Sequence, residues 1–275
     1  MIGSLCVSLL CQHLRSIFLS EFSNIHVVKM LENKVAIITG ASSGIGYATS
    51  LALSKAGARV AVGARRTDKL RELESQIIKD NGEILIQKLD VTTKSDCDSF
   101  VEAVVRKWEK IDILINNAGL MPLSLFVNRK VQEWERMIDV NIKGVLYCTA
   151  AVIPYMLNKN SGHIVNISSV AGRIVFAGGS VYCATKHAIT AFSEGLRKEL
   201  SPKHNIRVTC IEPGAVSTEL LESITDESMA GFIQASRNME NLQSDDVANA
   251  VLYAIRTPSH VNVNELLIRP TAQDR

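Results

Sequence analysis

The chain has 275 residues, of which 47% are hydrophobic, and a net charge of +2. That composition allows a sizeable buried core, and the absence of a basic stripe or a run of like charge argues against nucleic-acid binding and against a charged disordered tail. Six cysteines (Cys6, Cys11, Cys97, Cys148, Cys183, Cys210) stand apart without a CxxC pair. This speaks against a metal site and a disulfide framework and for reduced thiols in a cytoplasmic compartment; Cys148 and Cys183 read as packing residues.

Residues 1–30 do not share the pattern of the rest. Residues 1–11 are apolar but too short to span a bilayer, His13 and Arg15 interrupt them, and no basic residue precedes them as in a secretory leader. The lack of acids before Glu21 resembles an organellar presequence, whereas Met30-Leu31-Glu32-Asn33-Lys34 reads as a start just ahead of the first strand. The expectation is an extraneous or disordered extension over residues 1–30, with a membrane-surface anchor as the rival reading, and one domain over residues 31–275.

From Lys34 onward, apolar runs alternate with amphipathic stretches. The β-branched run at residues 35–38 predicts a buried strand, followed by a helix over 45–56 and a second strand over 59–63. Residues 67–80 carry Leu70, Leu73 and Ile77 at helical spacing and stop at Asn81-Gly82. A strand at 84–86, a helix at 94–108 with Phe100, Val101, Val104 and Val105 on its apolar side, and a strand at 111–115 complete the first half. The second half predicts helix over 130–157, strand over 163–167, helix over 181–200 stopped by Ser201-Pro202, and strand over 206–211. Residues 216–241 are polar with weak periodicity. Ser244 reads as the N-cap of a helix over 245–256, and 265–268 as a last strand. Such alternation, with strands apolar on both faces, predicts an α/β fold. It is a single-domain Rossmann-type doubly wound parallel sheet of about seven strands with helices on both faces.

Between the first strand and helix stands Thr39-Gly40-Ala41-Ser42-Ser43-Gly44-Ile45-Gly46. Glycines at this point give a tight turn and close backbone approach, and the N–H groups that open the helix favour a phosphate. In dinucleotide folds an acidic residue about 20 positions on usually takes the adenosine ribose; here Arg65 and Arg66 occupy that region and no carboxylate ends the second strand. Guanidinium pairs with a 2′-phosphate through two hydrogen bonds, so NADP(H) is expected over NAD(H). Asp68 is the rival, as a helix cap or a ribose partner, and the plain alternative for both arginines is solvation. Downstream, Tyr182 and Lys186 stand four apart and share one helix face. An ammonium beside a phenol favours phenolate and would bring its ordinary pKa of about 10 toward neutrality. A proton exchanger and a nucleotide cradle in one domain point to hydride transfer.

The ordered set of motifs resembles the short-chain dehydrogenase/reductase family in its compact branch, over residues 34–269. The matching segments are residues 39–46, Asp90-Val91, Asn116-Asn117-Ala118-Gly119, Asn141, Asn166-Ile167-Ser168-Ser169, residues 182–186 and Pro213-Gly214. The resemblance implies a catalytic Asn141, Ser169, Tyr182 and Lys186: Tyr182 as general acid/base, Lys186 as its helper and holder of the nicotinamide ribose, Asn141 as the holder of a relay water. Ser169 is preferred to Ser168 because the family serine usually lies thirteen residues before the tyrosine. It implies cofactor contacts from Gly40, Ser42, Ser43, Gly44, Ile45 and Gly46, from Arg65 and Arg66, from Asp90 and Val91 near the adenine, and from Asn117, Ala118 and Gly119 beneath the cofactor. Tyr182 and Lys186 join these, as do Pro213, Gly214, Val216 and Thr218 at the nicotinamide. A homodimer or homotetramer through the two long helices is also implied.

The substrate pocket is expected among Met121, Pro122, Val175, Phe176 and residues 217–240, the last as a lid. Arg173 and Arg237 are candidate partners for an acidic substrate or merely solvated. The tail around residues 260–270 resembles enzymes that oxidise 3-hydroxy acids and serine with NADP, which makes a small 3-hydroxy acid or semialdehyde the leading substrate. A bulky hydrophobic carbonyl (steroid, retinoid or acyl thioester) is the second reading. A non-enzymatic nucleotide sensor is the third, since fold alone does not fix function.

Overall fold

The computed structural model describes residues 30–274; the extension expected over residues 1–30, apart from Met30, lies outside the described residues together with Cys6 and Cys11. Seven strands alternate with helices: β1 (Val35–Thr39), α1 (Gly44–Lys55), β2 (Arg59–Ala64), α2 (Thr67–Lys79), β3 (Ile84–Lys88), α3 (Lys94–Trp108) and β4 (Ile113–Asn116) form the first half. The second half holds α4 (Val131–Lys159), β5 (Gly162–Ile167), α5 (Ser180–His204), β6 (Ile206–Pro213), α6 (Ala230–Asn238), α7 (Ser244–Arg256) and β7 (Glu265–Ile268). All pairings are parallel, in the order β3-β2-β1-β4-β5-β6-β7. Strand order reverses direction between β1 and β4, the place where an open parallel sheet leaves a crevice at the carboxyl ends of its strands.

Alternation along the strands divides the core into two layers. Val35 and Ile37 of β1 pack with Phe100, Val104, Val152 and Cys183 beneath α3, α4 and α5. Ala36 and Ile38 pack with Leu53, Leu70, Leu73 and Val251 beneath α1, α2 and α7. Burying each large apolar side chain stabilises the fold by about 1.5–3 kcal/mol. The doubly wound single-domain architecture expected from the alternation is the one observed.

Four local expectations change. The helix expected to stop at Ser201-Pro202 continues to His204. A proline removes one backbone donor and crowds the carbonyl four residues back; in the last turn of a 25-residue helix little structure follows it, and Asn205 in the left-handed region ends the helix instead. The cap of α7 is Gln243, not Ser244: its side chain accepts from the backbone N–H of Asp246, and Asp246 Oδ2 accepts from the backbone N–H of Gln243 at 2.8 Å. Residues 216–241, weakly periodic in sequence, fold as the 3-10 turns Glu219–Ser223 and Glu227–Met229 followed by α6. Finally, α4 widens into one π-helical turn at Asp139–Lys143, which carries Asn141.

Candidate active site

The glycine loop closes against the loop after β4. Gly40 has φ +66°, and a Cβ on it would stand 2.7 Å from Ala118 Cα; one on Gly46 would stand 2.4 Å from Asn117 Nδ2. Only glycine leaves room for the Asn117 amide, which donates to the carbonyls of Thr39 (2.9 Å) and Gly40 (3.0 Å). The Thr39 hydroxyl accepts from the backbone of Asn117 and Ala118, each at 3.1 Å. Helix α1 then opens at Gly44, and Ser43 before it makes no side-chain cap. Its first-turn N–H groups are therefore left for an anion.

Beside that loop Arg66 donates through Nη2 to Ser42 Oγ (3.1 Å) and Ser43 Oγ (2.7 Å). It also pairs with Glu219 at 2.7 Å. Asp68, the carboxylate that the sequence offers as a rival, is exposed in the first turn of α2 and does not border the cleft. Farther along, burial opposes ionisation of Asp90, yet hydrogen bonds from Thr92 and the nearby Arg65 and Arg136 hold its carboxyl below the ordinary value.

A cleft of about 840 Å³ runs from this charged end to Tyr182 and Lys186. Every residue assigned from sequence to cofactor or chemistry lines it except Gly46 and Asn141. Gly46 acts through the space it gives Asn117. Asn141 is buried; its Oδ1 accepts from Leu120 N (2.9 Å), and its Nδ2 donates to Leu120 O (3.0 Å) and Thr185 Oγ1 (3.1 Å). It thereby ties the wide turn of α4 to the chain after Gly119. Val216 is bridged to Leu242, and Thr218 caps the turn that starts at Glu219 by accepting from Leu220 N at 3.3 Å.

At the far end Tyr182 and Lys186 rise from α5 on one face, both nearly buried. The Lys186 ammonium lies 5.8 Å from the centroid of the Tyr182 ring and donates to Ile167 O at 2.9 Å. The Tyr182 hydroxyl faces Ser169, which favours its ionised form, while Ser169 Oγ itself donates to Pro213 O (3.3 Å) and accepts from Ala171 N (3.1 Å). Ser168 turns the other way, donating to Lys186 O (3.1 Å) and meeting Thr190 (3.1 Å), so the two adjacent serines have different surroundings. The electrostatics run against the simple sequence argument. Burial pushes Tyr182 up to about 12, with the neighbouring Ser169 hydroxyl opposing it, and burial pushes Lys186 down to about 8. Both groups are thus held toward their neutral forms by desolvation, and the nearby amine does not by itself turn the phenol into a base.

Between these ends the walls are mostly apolar, from Met121, Pro122, Ile174, Phe176, Leu220, Leu221 and Phe232, with Glu133, Glu222, Ser223 and Thr225 also lining the cleft. Phe176 stacks on Phe232 of α6 with ring centroids 5.6 Å apart. Val175, expected here, points outward with 75% of its surface exposed, and Ile174 lines the cleft in its place. Arg173 is bound to Glu212 and Glu265 and does not border the cleft; Arg237 is exposed on α6, also off the cleft. Arg136 and Gln273, whose Oε1 accepts from Ala215 N at 2.9 Å, line the cleft without having been singled out in the sequence, and Glu219, within the stretch expected as a lid, lines it at the charged end. Among the described residues no cluster of metal-ligating side chains occurs.

A family model described as short chain dehydrogenase matches residues 34–229. The chain belongs to the short-chain dehydrogenase family. Among curated members it is 47% identical over 245 residues to an uncharacterised oxidoreductase of Staphylococcus saprophyticus, covering 88% of this chain and 98% of that one. It is 45% identical over 244 residues to another from Listeria monocytogenes, with the same coverage. Among solved structures it superposes on a serine dehydrogenase complexed with NADP+ with a TM-score of 0.81, 36% identity, and coverage of 88% of this chain and 96% of that one. An alcohol dehydrogenase from the archaeon Thermococcus sibiricus complexed with 5-hydroxy-NADP gives 0.78, 27% identity, and coverage of 88% and 98%. This short-chain dehydrogenase has a donor set that fits a dinucleotide: glycines that admit close backbone approach, an uncapped helix start, and a guanidinium with two hydroxyls beside it.

Proposed function

We propose that the protein is an NADP(H)-dependent oxidoreductase that interconverts a secondary alcohol and its carbonyl, with a neutral, largely apolar substrate. The observation that carries the reaction is Tyr182, Lys186 and Ser169 gathered at the floor of a cleft whose other end is a helix N-terminus and Arg66. The bound nicotinamide supplies the hydride chemistry that no side chain provides. Ser169 and Tyr182 hold the carbonyl oxygen between two hydroxyl donors, and Tyr182 gives up its proton to that oxygen or takes it back. With a phenol pushed up to about 12, protonation of the product oxygen is the step the protein alone favours. Lys186, already buried one turn away, orients the phenol and lends positive charge when the proton departs. Asn141 positions by fixing the backbone at Leu120 and the neighbouring Thr185.

Two features support the phosphate form of the cofactor. No carboxylate ends β2, and Arg66 with Ser42 and Ser43 forms a compact anion-binding corner. The NADP complexes among the related structures agree. The apolar walls support a hydrophobic substrate, because a carboxylate in the cleft would need a cation. Arg65 and Arg136 act on Asp90, Arg66 is paired with Glu219, and Arg173 is held by two glutamates outside the cleft. A small 3-hydroxy acid remains the second reading, favoured by the 36% identical serine dehydrogenase. Partly exposed apolar residues on α4, Ile138, Leu146 and Leu157, support assembly as a homodimer or homotetramer. Although α4 is long and apolar enough to cross a membrane, half of that window is buried in the domain. Among the described residues the four cysteines are buried and form no disulfide, which suits a cytoplasmic location.

The test is NADP+ reduction over a panel of aliphatic, alicyclic and steroid alcohols alongside serine and 3-hydroxy acids. Apolar alcohols are expected to give kcat/KM values about tenfold or more above the hydroxy acids, given the cost of an unpaired carboxylate among apolar walls. The reverse order would overturn the substrate assignment, and no turnover of any member with either cofactor would overturn the reaction.

A further inference from the structure

The corner that suits a 2′-phosphate is held by a carboxylate of the same chain. Arg66 Nη2 meets Glu219 Oε2 at 2.7 Å, in addition to the two serine hydroxyls of the glycine loop. Arg66 above all, with Ser43 beside it, holds the Glu219 carboxyl below the ordinary value. Glu219 is not a remote surface acid. It opens the turn Glu219–Ser223, capped by Thr218, whose other end is pinned where Ser223 Oγ accepts from Met121 N at 3.2 Å. Leu220 and Leu221 of that turn form part of the apolar wall. One short segment therefore touches both the phosphate corner and the substrate chamber.

We propose that Glu219 is a placeholder for the cofactor's 2′-phosphate and so sets the balance between NADP(H) and NAD(H). A phosphate monoester carries nearly two negative charges and three acceptor oxygens, a carboxylate one charge and two. Both seek the same guanidinium and hydroxyl donors, and both cannot crowd there without like-charge repulsion. NADP(H) displaces Glu219 and releases the leading end of the Glu219–Ser223 turn. NAD(H), which presents a ribose hydroxyl instead, leaves the Arg66–Glu219 pair in place. Glu219 thus discounts the affinity for NADP(H) selectively, and cofactor identity is felt at the wall of the substrate chamber. This inference rests on the proposed use of NADP(H).

Calorimetric titration of the full chain with NADP+, NAD+ and 2′,5′-ADP tests it, in the wild type, Glu219→Gln and Arg66→Ala. Both members of the pair are about half-exposed, at 48% and 47%, so neither substitution threatens the fold. For an ion pair of that exposure Glu219→Gln is expected to tighten NADP+ and 2′,5′-ADP about threefold to fivefold while NAD+ changes less than about twofold. In hydrogen exchange, 2′,5′-ADP, which does not reach the nicotinamide end, should speed exchange of residues 219–223 in the wild type and not in Arg66→Ala. If Arg66→Ala weakens NADP+ selectively but Glu219→Gln leaves the NADP+ to NAD+ ratio unchanged or lowers it, the placeholder is wrong and the NADP(H) reading stands. If Arg66→Ala weakens neither cofactor selectively, that reading fails and takes the placeholder with it.

Discussion

The two ends of the cleft treat charge in opposite ways. At the nucleotide end Arg66, Glu219, Ser42 and Ser43 are polar, partly exposed and mutually matched. At the chemical end Tyr182 and Lys186 are 6% and 7% exposed, and burial drives one up to about 12 and the other down to about 8. On the proposed reading, the first arrangement binds an ion by replacing one set of partners with another. The second keeps titratable groups where neither is comfortable charged, so that an arriving charge changes their state. Recognition at one end is graded and screened by solvent; chemistry at the other is steep and shielded from it.

Tyr182→Phe should break that contrast most sharply. Removing the hydroxyl takes away the proposed proton donor, and turnover is expected to fall about a thousandfold. The Kd for NADP+ should stay within about twofold, since the phosphate corner is untouched. Ser169 keeps its contacts with Ala171 N (3.1 Å) and Pro213 O (3.3 Å), so stability should change little. Steady-state kinetics and calorimetry on the same preparation check it; retained turnover would place the acid/base elsewhere.

Lys186→Met tests the cost of the chemical end. A fall from the ordinary 10.5 to about 8 means that the folded protein holds this proton less firmly than the unfolded chain. Stability is therefore withheld below pH 8 and recovered as pH rises through about 8 to 10.5. At pH 7 the penalty is on the order of 3 kcal/mol. Methionine removes it but leaves the carbonyl of Ile167 without its donor, at a cost of about 1–2 kcal/mol. We expect a variant at least about a hundredfold slower yet more stable by roughly 1–2 kcal/mol at pH 7, a melting temperature higher by about 3 °C. The gain should shrink above pH 9. A variant less stable than the wild type at every pH would show that Lys186 is well accommodated and that the two ends do not differ as argued.

Both ends were legible in the sequence to different depths. Gly40, Gly44 and Gly46 between strand and helix, and Tyr182 four residues before Lys186, are local spacings, and local spacing survives folding. Their surroundings are not local. Nothing in the sequence tells that Tyr182 is so deeply desolvated that its amine neighbour fails to lower it, because burial comes from layers assembled across the sheet. Glu219 lies 153 residues from Arg66 and opens a polar stretch without periodicity, so no pattern marks it as the carboxylate of the phosphate corner. The nearer Asp68 had the better claim by distance along the chain and the wrong position in space. Pro202 and Ser244 misled in a third way: as helix signals they are preferences worth about a kilocalorie or a few, and an Asn205 in the left-handed region and a Gln243–Asp246 capping box outweighed them.

Salt gives the gentlest test. Between about 0.15 M and 1 M ionic strength the screening length falls from about 8 Å to about 3 Å, which weakens attraction between exposed charges and leaves buried ones nearly alone. Salt loosens the Arg66–Glu219 pair as well as the pull of Arg66 on a 2′-phosphate, so the two losses partly offset. The phosphate carries nearly twice the charge of the carboxylate, and a net weakening survives. The Kd for NADP+ should therefore rise about twofold to fivefold over that range, the Kd for NAD+ by less, and kcat at saturating cofactor by no more than about twofold. In Glu219→Gln the offset is gone, and the NADP+ dependence should steepen. A kcat that fell with salt in parallel with NADP+ affinity would mean that solvent ions reach Tyr182 and Lys186 as readily as Arg66, and the division of the cleft into a screened and a shielded end would not hold.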